Sequence, residues 1–187
     1  MAEQTVLSVR GEARRTVPPD YAILHCGINA TATSKIEATT LLRRAQDAVM
    51  AALEQLGGAA RTVENEGAPL TWSIGTMSTH DEHDYDQAPG RKGATGRVAA
   101  HSPLTVQVRD LSQVGRVGQV LTEAERLHVH DASWAVDPAN PAWRAVRADA
   151  IAAALDRGRD YAAAAAGAGS ARTCLSRVSP RSRSRTP

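Results

Sequence analysis

The residues in this chain that can do chemistry are its six histidines, its two cysteines and one run of carboxylates. The densest group is His80, Asp81, Glu82, His83, Asp84 and Asp86. Imidazole and carboxylate both suit zinc, and a catalytic zinc site takes three protein ligands plus an open position. His101 lies across the hairpin this stretch would form and can add a donor. The competing reading is a solvated loop, because His80–Gly96 is polar, rich in glycine and charge, and without period. A second group is His128, His130 and Asp131. Period two puts its two imidazoles on one strand face, where a shared metal or a proton relay is open to them. A pair of surface histidines is the simpler account. His25 shares a face with Tyr21, Ile23 and Gly27 and reads as half-buried and structural. Cys26 reads as a buried strand residue and Cys174 as a thiol near the chain's end. No C-x-x-C motif joins them. There is no G-x-S-x-G elbow, Walker loop or G-x-G-x-x-G fingerprint. The residues therefore define no catalytic set and no cofactor-binding set. Metal binding through His80–Asp86 stays open.

These groups need elements to position them. Asp20–Thr33 alternates apolar and polar residues and predicts a long strand, with Ala22, Leu24, Cys26 and Ile28 on one face. Ser34 and Glu37 have capping-box spacing. Leu42, Ala45, Val49, Ala52, Leu53 and Leu56 follow on one helical stripe, which Gly57 and Gly58 stop. Thr5–Arg10 predicts a first strand, Arg61–Asn65 a short strand, and Leu70–Thr79 another. Arg97–Arg109 predicts a strand whose Pro103 marks a bulge or an edge position. Asp110 and Gln113 open a second helix with Val114, Val117, Leu121 and Ala124 inward. Gly115 and Gly118 inside it permit close packing or leave it frayed. His128–Val136 is a strand. Asn140 and Pro141 start a third helix that runs to about Ala166, with Val146, Ala150, Ile151, Ala154, Leu155, Tyr161 and Ala162 inward or near it. A strand–helix–strand plan thus occurs twice, at Asp20–Asn65 and Arg97–Val136.

At 187 residues with no Phe, the core must be filled by Ala, Val and Leu. Each buries little area at roughly 25 cal/mol per Å², and assembly is one way to bury more. Trp72, Trp134 and Trp143 read as core or interface anchors. The five arginines of residues 170–187 exceed the formal net charge of +2. The remainder is mildly acidic, without a general bias toward nucleic acid. The tail itself can neutralise phosphates, but without interleaved aromatics it offers no base stacking. A solubilising tail is the simpler reading. No signal peptide or run of about 18 apolar residues is present, which predicts no membrane span and a cytoplasmic protein.

The order of short motifs resembles one family. Val9-Arg10-Gly11-Glu12-Ala13 is similar to the strand end that opens SIMPL-domain proteins, and Pro19-Asp20-Tyr21-Ala22 to their entry into the second strand. Thr31–Ala38 resembles the run into their first helix, and Val106–Leu111 their "v-x-v-r-D-l" segment. His130–Trp134, Arg144, Ala150 and Arg159-Asp160-Tyr161-Ala162 resemble their final strand and helix. The resemblance spans about residues 5–168. It implies an α+β fold of antiparallel sheet packed by helices. It also implies, from ring-like assemblies and stress-linked members, self-association and a stress-related role. Family members are often exported and end in a strand and an acidic stretch. Here the tail either keeps that strand as CLSRVS or arises from a change of reading frame. The expectation is an α+β domain at 1–169 with a disordered tail at 170–187. Its mainly antiparallel sheet comes from two strand–helix–strand units packed by three helices. Its expected function is non-catalytic, through homo-oligomers or another protein. A metal enzyme or sensor at His80–Asp86 is the alternative, and nucleic-acid binding through the tail a second.

Overall fold

In the computed structural model, which describes residues 6–84 and 93–167, β1 (Tyr21–Ala32) is the strand the sheet is laid against. Its alternation is complete. Ala22, Leu24, Cys26, Ile28, Ala30 and Ala32 are all buried, and the residues between them turn to the other face. α1 (Lys35–Gln55) follows. Ser34 Oγ accepts from the Glu37 amide at 3.2 Å, while the Glu37 carboxylate takes the Thr33 hydroxyl at 3.0 Å. The cap is thus half of the expected box, with Thr33 in place of the reciprocal backbone bond. Ala38, Leu42, Ala45, Val49 and Leu53 make the buried stripe. The helix ends as the two glycines predict. Gly57 takes φ +80°, and the Gly58 amide reaches back to Leu53 O at 2.9 Å.

β2 is short, Ala59–Ala60, and runs parallel to β3 (Leu70–Ile74). The expected strand at Arg61–Asn65 does not form. Asn65 takes the local backbone for itself: Oδ1 accepts from the Thr62 amide at 2.7 Å, and Nδ2 donates to Ala60 O at 2.6 Å. The expected strand Leu70–Thr79 is two strands. β3 stops at Gly75, and β4 (Ser78–Asp84) begins beyond it. Both pair antiparallel with β5 (Gly93–Val108). The predicted long loop at His80–Gly96 is therefore shorter, since strand continues through His80–Asp84 and resumes at Gly93. A register shift between Asp81 and His83 accommodates two extra residues of β5 between Ala94 and Val98, where Gly96 takes φ +72°.

Pro103 occupies neither a bulge nor an edge. It sits opposite Gly27 in unbroken pairing with β1. Its carbonyl faces the other way and accepts from the Gly75 amide at 2.8 Å. Its missing N–H thus falls in the gap between β3 and β4, where no ladder bond is lost. A Cβ on Gly75 would lie 2.6 Å from Pro103 Cγ, so glycine lets the chain cross there.

Asp110 caps a short 3-10 turn, Leu111–Gln113, before α2 (Val114–Glu123). Its carboxylate accepts from the Ser112 hydroxyl at 2.6 Å, Gln113 Nε2 at 2.8 Å and the Ser112 amide at 3.1 Å. These bonds hold its pKa below the ordinary value. Val117 and Leu121 are buried as the stripe predicts. Added Cβ atoms on Gly115 or Gly118 would meet nothing within 4 Å, so close packing is not their reason. β6 (Leu127–Ala135) completes the sheet.

The strand order is β2-β3-β5-β1-β6, with β4 also on β5. The sheet is antiparallel except at β2–β3. β1 and β2 run the same way, as do β5 and β6, so the two strand–helix–strand units hold. α1 packs on β1 and β5, and α2 on β6. These elements form the unit Pro18–Asp137. The other unit, Met1–Val17 with Pro138–Pro187, holds α3 (Ala142–Gly167), the third helix of the α+β fold. Asn140 Oδ1 accepts from the Ala142 amide at 2.9 Å and caps it as expected. Val146, Ala150, Ala154, Leu155 and Ala162 are half-buried, while Ile151 and Tyr161 are exposed rather than inward.

Residues 6–10 are not a strand. The segment lies along α3 instead, with Arg157 donating to Arg10 O at 2.7 Å and Arg15 paired with Asp149 at 2.9 Å. A Cβ on Gly11 would overlap Ala150 O and press on Ala154, so only glycine allows this approach.

Leu42→Ala should destabilise the sheet unit by about 2–5 kcal/mol. Ile36→Ala, one and a half turns away at 81% exposure, should stay within about 0.5 kcal/mol. Urea unfolding of the two variants checks the contrast.

Candidate functional site

The histidines gather on the face of the sheet opposite α1 and α2. His25, Gly27 and Asn29 project there from β1. Pairing sets Thr105, Pro103 and His101 beside them from β5, and Asp131 and His128 from β6. β6 shifts register opposite His25 and Cys26, leaving His130 as an extra residue. His130 also lies on this face. A Cβ on Gly27 would be 2.5 Å from His130 Nε2 and 3.0 Å from His101 Cε1. The two rings thus converge over a residue with no side chain. His101 Nδ1 lies 2.7 Å from Asn29 Oδ1. The amide oxygen can only accept, so a neutral His101 in this contact carries its proton on Nδ1 and its lone pair on Nε2.

The predicted groups are therefore redistributed. His128 and His130 share a face, as period two requires. His25 joins them but is exposed, not half-buried. His101 does lie across the hairpin, opposite Ser78 and on the same face as His80, but its ring turns toward Asn29. His80 stands opposite Ala99, and Glu82 pairs with Arg97 at 3.6 Å. His83 and Asp84 are placed by backbone pairing alone, and Asp86 lies outside the described residues, as do Cys174 and the five tail arginines. Among the described residues, no three His, Cys, Asp or Glu side chains gather as a metal site. Sequence reasoning missed Gly27 and Asn29. Both were legible as sharing His25's face, but their partners come from two other strands.

Cys26 faces the core between β1 and α1, and burial pushes its thiol from 9.0 up to about 11. This suits an inert thiol rather than a nucleophile. A shallow groove of about 440 Å³ lies between α1 and α2, floored by Ala45, Val49 and Val120 and edged by Arg44, Glu123 and Arg126. It contains no nucleophile and no imidazole.

One corner of the sheet unit joins two stretches that the sequence singled out. Arg109 donates to Asp137 at 2.7 Å, lies 5.0 Å above the Tyr21 ring, and reaches Glu66 O at 3.2 Å. Asp20 Oδ2 accepts from the Asp137 amide at 2.7 Å. The Pro19–Ala22 and Val106–Leu111 motifs therefore meet in a clasp that ties the ends of β1, β5 and β6. The SIMPL family, described as "Protein of unknown function (DUF541)", matches residues 7–185. The chain belongs to the SIMPL family. The match takes in both motifs of the clasp and Gly11 on α3.

No curated protein matches this SIMPL chain. Among solved structures it is similar to a hydantoinase/carbamoylase family amidase from Burkholderia ambifaria, at 14% identity and a TM-score of 0.31. The likeness covers 63% of this chain and 28% of the amidase, so the chain spans under a third of that protein's length. Such a likeness carries no argument about activity. Among the described residues, no helix is long and apolar enough to cross a membrane.

The raised thiol has a consequence for stability. The unfolded chain ionises Cys26 near 9.0, while the folded chain holds the proton to about 11. Its contribution is complete below about pH 9 and is lost as pH rises through about 11. In a Cys174→Ser background, Cys26 should resist a thiol reagent at pH 8 until the protein is unfolded. Cys26→Ala should lose less stability than its parent between pH 9 and 11, as read by urea midpoints.

Proposed function

We propose that this SIMPL chain is a non-catalytic protein that associates with further copies of itself. The observation that carries the proposal is an apolar row left uncovered on β6. On the face packed by α1 and α2, Leu127 is buried, but Val129 is 39% exposed and Trp134 60% exposed, with Ala132 exposed between them. Trp is costly to leave in water, and interfaces favour it because it brings a large rigid surface. Among the described residues β6 is an edge strand. The register shift and Asp131 interrupt that edge, which disfavours simple strand addition. Side-chain packing of one row against its two-fold mate is the contact that fits.

A second copy is the favoured occupant because the core is built from small residues. Its largest fully buried side chains are Ile and Leu. A Trp134 pair would add about 150–250 Å² from each copy. The Trp residues thus divide: Trp72 is a core anchor, while Trp134 and Trp143 are exposed. A stress-related role, implied by the family resemblance, would be exercised through such an assembly.

Size-exclusion chromatography with light scattering should show a discrete multimer. Trp134→Ser with Val129→Thr should weaken it by about 2 kcal/mol per contact, or roughly thirtyfold in Kd, with the unfolding midpoint of the sheet unit unchanged. A monomer for the unaltered chain at high concentration would reject the proposal.

A further inference from the structure

We infer that His101 and His130 form a two-imidazole site for an exchangeable divalent transition-metal ion of the Zn²⁺, Ni²⁺ and Cu²⁺ class. Three features of the sheet converge on it. Gly27 leaves a notch in the middle strand, and the rings from the strands on either side lean over it, 2.5 Å and 3.0 Å from where a Cβ would stand. Asn29 fixes one ring. With the Nδ1 proton donated to Asn29 Oδ1 at 2.7 Å, His101 presents Nε2 as a free lone pair. That outer-shell arrangement is the one metal-bound histidines use. β6 supplies the other ring: the register shift leaves His130 without a pairing partner on β1, and its ring lies over Gly27 rather than opposite His25.

The chemistry selects the ion. Neutral imidazole suits Zn²⁺, Ni²⁺ and Cu²⁺, whereas Mg²⁺ and Ca²⁺ require oxygen ligands. Two nitrogens leave the remaining positions to water, so the ion exchanges and an added ligand can reach it. His130 is exposed and His101 half-buried, which leaves the site open from one side. The site as inferred uses no residue of the His80–Asp86 stretch, and it does not depend on self-association.

The full chain, purified without a histidine tag and stripped with chelator, is titrated with ZnCl₂, NiCl₂, CuCl₂ and CaCl₂ by calorimetry. One equivalent of each transition metal should bind, strongest for Cu²⁺, and Ca²⁺ should not. His130→Ala and His101→Ala should each weaken binding at least tenfold. Asn29→Ala, which acts only by positioning His101, should weaken it by about tenfold. Cu²⁺ should give a d–d absorption band that shifts or disappears in the same variants. His130 is exposed, so its variant keeps the fold and decides the matter if His101→Ala unfolds. Undiminished affinity in His130→Ala would overturn the inference. So would loss of binding in His80→Ala with His83→Ala while His101 and His130 remain, because it would place the ion on the hairpin.

Discussion

The double pairing of β1 is the constraint on which the rest of the sheet unit depends. β5 pairs along one side from Ala22 to Ala32, and β6 along the other from Tyr21 to Ile28. A strand pinned on both sides cannot slip by one residue without turning Ala22, Leu24, Cys26 and Ile28 out of the core. With no Phe available, that row is made of small and medium side chains, and α1 meets it with Ala38, Leu42, Ala45, Val49 and Leu53. Each such contact gives little area, so stability rests on the completeness of the alternation rather than on a few large anchors.

The two faces then take different roles. The helix-packed face absorbs the apolar residues, apart from the far end of β6, where Trp134 is exposed. The opposite face is the more polar one: Thr71 and Gln107 are buried on it, and the histidines collect there. Gly27 contributes to both faces at once. It continues the strand that carries the core and opens the notch over which two imidazoles meet. The clasp of Arg109, Asp137, Asp20 and Tyr21 serves both as well, since it fixes the strand ends from which the register is counted.

The sequence shows clearly the elements whose signals are local. β1, α1 with its serine cap and glycine stop, Leu104–Val108 of β5 and the stripe of α2 are all read from spacing alone. Where side chains or distant partners decide, spacing fails. Asn65 captures the backbone that a strand at Arg61–Asn65 would need. β4 has no apolar face to betray it, because His80–Asp84 is held by pairing with β5. Gly11 stands in the Val9–Ala13 motif, and only its approach to α3 reveals why a glycine is required. The candidate site was half legible. Alternation aligns His128 with His130, but the meeting of His130 with His101 depends on three strands and on a register shift that no single stretch displays.

That register shift makes β6 a strand read in two phases. Before it, odd-numbered residues Leu127 and Val129 face the helices; after it, even-numbered residues Ala132 and Trp134 do. The constraint here falls on the count of residues as much as on their kinds. Removing one residue between Val129 and Asp131 would leave the backbone able to pair without interruption. With His130 kept, an uninterrupted ladder would instead rotate one half of the strand, sending Leu127 out of the core or Trp134 to the opposite side. The extra residue thus lets two apolar pairs of opposite parity, Leu127 with Val129 and Ala132 with Trp134, share one face.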